Sequence, residues 1–118
     1  MKYALLIYGE QSQWDTLSDH EKAELRAEQM PRWEAVMAEL ARVDPEMTGY
    51  ELEGRSTAKV VRVRDGELIV TDGPFAETKE VIGGLFVAEL PDLDEAIRLA
   101  ALVPSSDHGS LEIRPVIG

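Results

Sequence analysis

The sequence predicts an α+β fold on the split βαβ plan, with a β-hairpin inserted, in a single domain spanning residues 1–118. Three observations carry this expectation. Two near-continuous apolar runs, Lys2 to Tyr8 and Ile82 to Leu90, suit central strands covered on both faces. Each run is followed by a helical segment with its own N-terminal cap, at Ser18 and at Asp92. Between these units Asp65-Gly66 separates two strand-like stretches, and both central positions of a type I′ turn need φ above zero, which Asp tolerates and Gly adopts freely.

In chain order, the first run carries Tyr3, Leu5, Leu6, Ile7 and Tyr8. Ser18, with Glu21 three residues later, forms a capping box. It opens a helix in which Leu25, Met30, Trp33, Met37 and Leu40 recur at three- to five-residue intervals, and Trp33, Met37 and Leu40 are expected in the core. Pro31 lacks an N–H and its ring crowds the preceding turn, so the helix either kinks or divides there before Asp44-Pro45 ends it. Residues 47–54 read as a weak strand. Thr57 to Arg64 and Glu67 to Asp72 form the hairpin; a two-residue turn without a bulge pairs Arg64 with Glu67, Val63 with Leu68, Val61 with Val70 and Lys59 with Asp72. Gly83-Gly84 weakens or bulges the start of the second apolar run. Asp92, with Glu95 behind it, caps a helix carrying Leu93, Ala96, Ile97, Ala100 and Val103, which Pro104 closes. Leu111 and Ile113 then alternate with Glu112 and Arg114, and Pro115, which cannot donate to a ladder, favours a sheet edge.

Helices on this plan cover one face of the sheet, so the other must meet water, a ligand or a second subunit. The apolar strands make a homodimer packed sheet to sheet around a cleft the expected solution. Composition narrows the partners. The 118 residues include 12 Lys+Arg against 23 Asp+Glu, a formal net charge of -11, and no Cys. Such a surface repels a phosphate backbone, so no nucleic-acid partner is expected. Disulfides, thiolate metal sites and Cys nucleophiles are excluded. No apolar run reaches the ~18 residues of a membrane span, and the chain does not open with a signal-peptide layout, so the expectation is a cytoplasmic protein with no membrane partner.

The densest polar cluster is Asp72-Gly73-Pro74-Phe75-Ala76-Glu77-Thr78-Lys79-Glu80. Its Gly-Pro bend suits a loop that holds functional groups rigidly, with Asp72 as a candidate acid or base and Glu77 and Lys79 as candidate ligand contacts. The same residues also suit ordinary turn chemistry, with Asp72 bonding loop amides. The hairpin register adds Lys59, placing a Lys59–Asp72 pair at the margin of an apolar face, where it is expected to be partly desolvated. A second cluster is Asp107-His108-Gly109, leading to Glu112 and Arg114. His108, in a loop at a strand start, is the second candidate acid or base, and Arg114 a candidate grip for a small anionic ligand. Asp72 is expected at the rim of a cleft that His108 and Arg114 approach. His20 reads as a surface residue. No cofactor or metal site is expected: paired histidines at helical spacing, a calcium-loop pattern and a glycine-rich phosphate motif are all missing.

The run Val70-Thr71-Asp72-Gly73-Pro74-Phe75-Ala76-Glu77-Thr78-Lys79-Glu80, followed by Gly83-Gly84, resembles the signature of DGPF-type proteins, a branch of the YCII-related domain family. The opening Met1 to Tyr8, the helix start Pro91 to Ala96 and the closing His108-Gly109 to Pro115 are similar to that branch as well. The resemblance implies a ferredoxin-like fold and a dimer of the dimeric α/β-barrel kind. In the wider family a histidine on the first helix and an aspartate after the second form a catalytic dyad; Met30 and Val103 stand at the corresponding places here, so the dyad does not carry over. Members of the branch are often encoded beside extracytoplasmic-function sigma factors, which implies a regulatory link. Three functional readings follow. They are a small-molecule-binding homodimer with a sensing role, a small lyase-, hydrolase- or isomerase-type enzyme using Asp72 or His108, and a protein-interaction module beside a transcription regulator.

Overall fold

In the computed structural model, which describes residues 1–73 and 80–118, the split βαβ order is realised. Strand β1 (Lys2–Glu10) runs into a short helix α1 (Gln11–Asp15), helix α2 (Asp19–Val43) and strand β2 (Thr48–Glu51). A 3-10 turn (Arg55–Thr57) leads to the hairpin strands β3 (Lys59–Arg64) and β4 (Glu67–Asp72). Strand β5 (Glu80–Glu89), helix α3 (Leu93–Leu102), a second 3-10 turn (Pro104–Asp107) and strand β6 (Ser110–Pro115) complete the chain. The four-stranded sheet has the order β2-β5-β1-β6 with every neighbour antiparallel, as a ferredoxin-like fold requires, and β3-β4 forms a separate two-stranded sheet. Both sheets are open; this single chain encloses no barrel.

Helix α2 starts where the capping box predicts. The Ser18 hydroxyl accepts from the Glu21 N–H at 3.1 Å while the Glu21 carboxylate accepts from the Ser18 N–H at 3.0 Å. Pro31 does not divide it: the helix is continuous from Asp19 to Val43. At its end the Asp44 carboxylate accepts from the N–H groups of Glu46 and Glu89, at 2.9 and 2.8 Å, tying the helix to the far end of β5 and holding its own carboxyl below the ordinary aspartate range. Asp92 caps α3 by accepting from the Glu95 N–H at 2.8 Å. Asp65 and Gly66 take φ of 51° and 77°, and the hairpin register is the one the two-residue turn dictates, Lys59 opposite Asp72.

The core lies between the helices and one face of the large sheet. Tyr3, Leu5 and Ile7 of β1, Phe86 and Ala88 of β5, Val36 and Leu40 of α2, and Ala96, Leu99 and Val103 behind them are buried. Trp33 lies against this cluster with its ring tilted on Phe86, centroids 6.3 Å apart. Five apolar helix positions differ from the expected stripes. Leu25, Met30, Met37, Leu93 and Ile97 are exposed, because the buried stripes pass through Val36 and Leu40 on α2 and through Ala96, Leu99 and Ala100 on α3. Between Asp19 and Met30 no α2 side chain is fully buried, so the front half of that helix overhangs the body. The register of β1 against β5 shifts between Ile7 and Tyr8, which pair with Gly84 and Ile82, leaving Gly83 as the extra residue of a bulge.

Much surface remains uncovered. A monomer of 13.1 kDa should expose ~6,400 Å², whereas this chain exposes 8159 Å². Its radius of gyration is 16.2 Å, against about 13.5 Å for a compact domain of this length. The front half of α2 and the β3-β4 hairpin, neither of which has a fully buried residue, contribute to this excess. No helix among the described residues is long and apolar enough to cross a membrane.

The tightest backbone approach makes a clean stability test. A Cβ at Gly109 would lie 2.2 Å from the Tyr8 carbonyl oxygen and 3.0 Å from that of Ser105, so Gly109→Ala must displace backbone where β6 joins β1. Urea denaturation should show a loss of about 1–3 kcal/mol. Gly54→Ala, at φ -55° with nothing within 4 Å of the new methyl, should be neutral or slightly stabilising.

Candidate functional site

The helix-free face of the large sheet follows from the alternation along β1. Since Tyr3, Leu5 and Ile7 point into the core, Ala4, Leu6 and Tyr8 share the opposite face. Strand pairing adds Val87, Leu85 and Ile82 from β5, Thr48 and Tyr50 from β2, and Ser110, Glu112 and Arg114 from β6. The centre of this face is apolar and half-buried, with nothing of this chain's helices over it. Its two ends differ in charge. Glu10 and Glu80 pair at one end, where the Ser110 hydroxyl donates to Glu80 at 2.9 Å, while Arg114 and Lys2, the latter opposite Glu89, lie at the other.

Arg114 is set apart from most of the other arginines. Arg26, Arg32, Arg42, Arg55 and Arg98 each hold a carboxylate, and Arg64 donates to the Val63 carbonyl. Arg114 has no such partner among the described residues, although Glu112 stands two positions away on the same face. A guanidinium left without a carboxylate beside apolar side chains, in a chain with 23 acidic residues, is suited to gripping an anion.

The other candidates are distributed elsewhere. Lys59 and Asp72 do meet across the hairpin, and the ammonium holds the Asp72 carboxyl below the ordinary aspartate range. The expected partial desolvation is absent, since the Asp72 side chain is 84% exposed and that of Lys59 62%. None of the described residues covers the hairpin face that carries them. At neutral pH Asp72 is an acceptor carboxylate engaged by Lys59, without a proton to donate. His108 is exposed at the end of the second 3-10 turn, and the neighbouring Asp107 carboxylate is taken by Arg32 of α2. His108 and Arg114 do not converge. Ser110 pairs with Tyr8 at one end of β1 and Arg114 with Ala4 at the other, about 13 Å along the strand. Asp72 belongs to the separate two-stranded sheet. Glu77 and Lys79, with Pro74 and Phe75, lie outside the described residues. No metal-ligating cluster occurs among the described residues.

Sequence reasoning missed the Ser110–Glu80 contact and the cluster around α1. There Trp14 lies under the Lys22 ammonium at 5.7 Å and the Arg26 guanidinium at 5.2 Å, while Arg55 bonds Asp15 at 3.3 Å. The i,i+4 spacing of the basic residues Lys22 and Arg26, with Trp14 upstream, was the available signal, but it joins two helices whose relation only the fold supplies.

Comparison with known proteins bears on the whole chain. The YCII-related domain matches residues 1–118. This chain belongs to the YCII-related domain family. A curated relative, an uncharacterised protein of Rhizobium meliloti (strain 1021), is 34% identical over 123 residues, covering 98% of this chain and 92% of that protein. YCII-related membership thus accompanies the ferredoxin-like strand order, while the two places compared with the family's dyad hold an exposed Met30 and a fully buried Val103.

The Lys59–Asp72 pair gives a titration test. A lowered carboxyl pKa means that the pair's contribution to folding is complete above the ordinary aspartate value and disappears as pH falls through the lowered one. Carbon-detected NMR titration should place the Asp72 midpoint below the ordinary aspartate value, and Lys59→Met should return it upward. At 84% exposure, the same substitution should leave the thermal midpoint at neutral pH almost unchanged.

Proposed function

We propose that this YCII-related protein is a homodimer that binds a small anionic molecule between the helix-free sheet faces of its two copies, with Arg114 as the residue that grips the anion. The observation that carries this reading is Arg114 itself, a guanidinium without a carboxylate partner among the described residues, at the margin of an apolar sheet face with no helix of its own over it. Stacking two such faces would bury Leu6, Ile82, Leu85 and Val87, removing apolar surface from water at about 25 cal/mol per Å². The charge pattern favours one symmetry. A two-fold axis across the strands sets the Glu10–Glu80 end of one face against the Lys2–Arg114 end of the other, whereas an axis along the strands sets like charges together. This arrangement would form the dimeric α/β barrel that DGPF-type resemblance implies.

A molecule bound between copies couples its concentration to their association, which is the physical requirement for a sensing role. Asp72 and His108 support an enzyme less well. Asp72 is exposed and engaged by Lys59, and His108 is exposed with Asp107 committed to Arg32.

Light scattering at micromolar concentration should give twice 13.1 kDa, and Leu85→Glu, which places a charge in the middle of the face, should return the mass toward one chain. A mass of 13.1 kDa at all concentrations overturns the dimer. Native mass spectrometry of the freshly purified protein should reveal a retained anion that Arg114→Gln no longer holds; equal retention by both would remove Arg114 from the site.

A further inference from the structure

We propose that the β3-β4 hairpin is an intermolecular arm whose apolar face, formed by Val61, Val63, Leu68 and Val70, docks on a second copy of this chain. The inference rests on the homodimer reading and adds to it a second contact surface, distinct from the helix-free face of the large sheet. Val61 pairs with Val70 and Val63 with Leu68, so the four side chains form one contiguous patch. Their exposures run from 55% to 69%, far above those of the strand side chains facing the core. The hairpin is a separate two-stranded sheet, and a hairpin of that kind is marginal in water unless a face is packed. Its sequence nevertheless favours the strand strongly on this face, which is the pattern of a surface that is covered in use.

Two further quantities name the occupant as another copy. The accessible surface, to which the hairpin contributes together with the front of α2, exceeds that of a compact monomer by roughly 1,800 Å², which is of the order that each partner in a large obligate interface removes from water. The hairpin's own charge does not oppose self-association. Residues 59–72 hold three Lys/Arg and three Asp/Glu, in a chain whose net charge is -11, so a second, equally acidic copy meets a neutral arm. Lys59 and Asp72 lie on the same face as the apolar patch, so docking would carry this pair to the edge of the interface and remove some of its water.

The test is the dissociation constant of the dimer, measured by light scattering over a dilution series of the full chain. Leu68→Glu puts a charge in the patch and should weaken the dimer about tenfold or more. Thr71→Glu, on the opposite face of the same hairpin, should change the constant less than about threefold, which separates loss of docking from loss of the hairpin itself. Circular dichroism checks that both variants keep the helices. If Leu68→Glu dimerises as tightly as the natural chain, the arm is overturned while the sheet-face dimer stands. A large effect of Thr71→Glu equal to that of Leu68→Glu overturns it as well. A single-chain mass for the natural protein overturns both readings.

Discussion

Because β1 is bonded on both sides, to β5 and to β6, the pleat of its nine residues decides which side chains make the core and which make the uncovered face. Tyr3, Leu5 and Ile7 commit to the helices; Ala4, Leu6 and Tyr8 are thereby committed to the other side. A one-residue slip would exchange the two sets. The bulge at Gly83 keeps this division intact toward the end of β1, since it brings Ile82 rather than Gly83 opposite Tyr8. Gly84 beside it can hold no side chain, because a Cβ would stand 2.8 Å from the Tyr50 carbonyl oxygen of β2. The two glycines thus serve different ends, one the register of β1 and the other the close approach of β2.

What holds the chain together is a small core. Leu5, Leu40, Leu90, Leu99, Val36 and Val103 are almost fully buried, each worth about 1.5–3 kcal/mol relative to exposure. The ion pairs contribute differently. Arg98 bridges Glu39 of α2 and Glu95 of α3, which orients the two helices; Arg42 and then Arg98 hold the Glu39 carboxyl below the ordinary glutamate range, and Arg98 holds that of Glu95 below it. Exposed pairs of this sort fix geometry more than they stabilise. The parts away from the core, the front of α2 and the hairpin, are therefore anchored by contacts of low energy. Trp14 under Lys22 and Arg26, with Arg26 reaching Glu51, is the main tie of the first of these.

Signals confined to a few residues were legible in the sequence. Ser18 with Glu21, Asp92 with Glu95, Asp65-Gly66 and the edge proline Pro115 each act through backbone geometry within one turn or one strand pair, and each occurs where expected. Signals that depend on what lies opposite were not. Met37 and Ile97 sit at helical spacing with buried residues, yet only the crossing of α2, α3 and the sheet decides that Val36 and Leu99 take the core. The same limit applies to the candidate site. The pairing of Lys59 with Asp72 follows from a turn, but its solvation depends on whether anything packs on the hairpin, which no local pattern encodes. Asp44, whose carboxylate joins α2 to β5, reads in the sequence as a mere helix stop.

The division of labour along β6 joins these threads. Leu111 and Ile113 point to the core while Ser110, Glu112 and Arg114 face away, so one edge strand contributes both to the fold and to the uncovered face. Its position fixes the charge pattern of that face. Ser110 holds Glu80 at the acidic end, whereas Arg114 stands opposite Ala4. In a chain this acidic, two copies repel unless unlike charges are set against each other. A face with two carboxylates at one end and Arg114 and Lys2 beside a single Glu89 at the other meets that condition better in one relative orientation than in the reverse. For two copies meeting on this face, that polarity would therefore favour one relative orientation over the reverse.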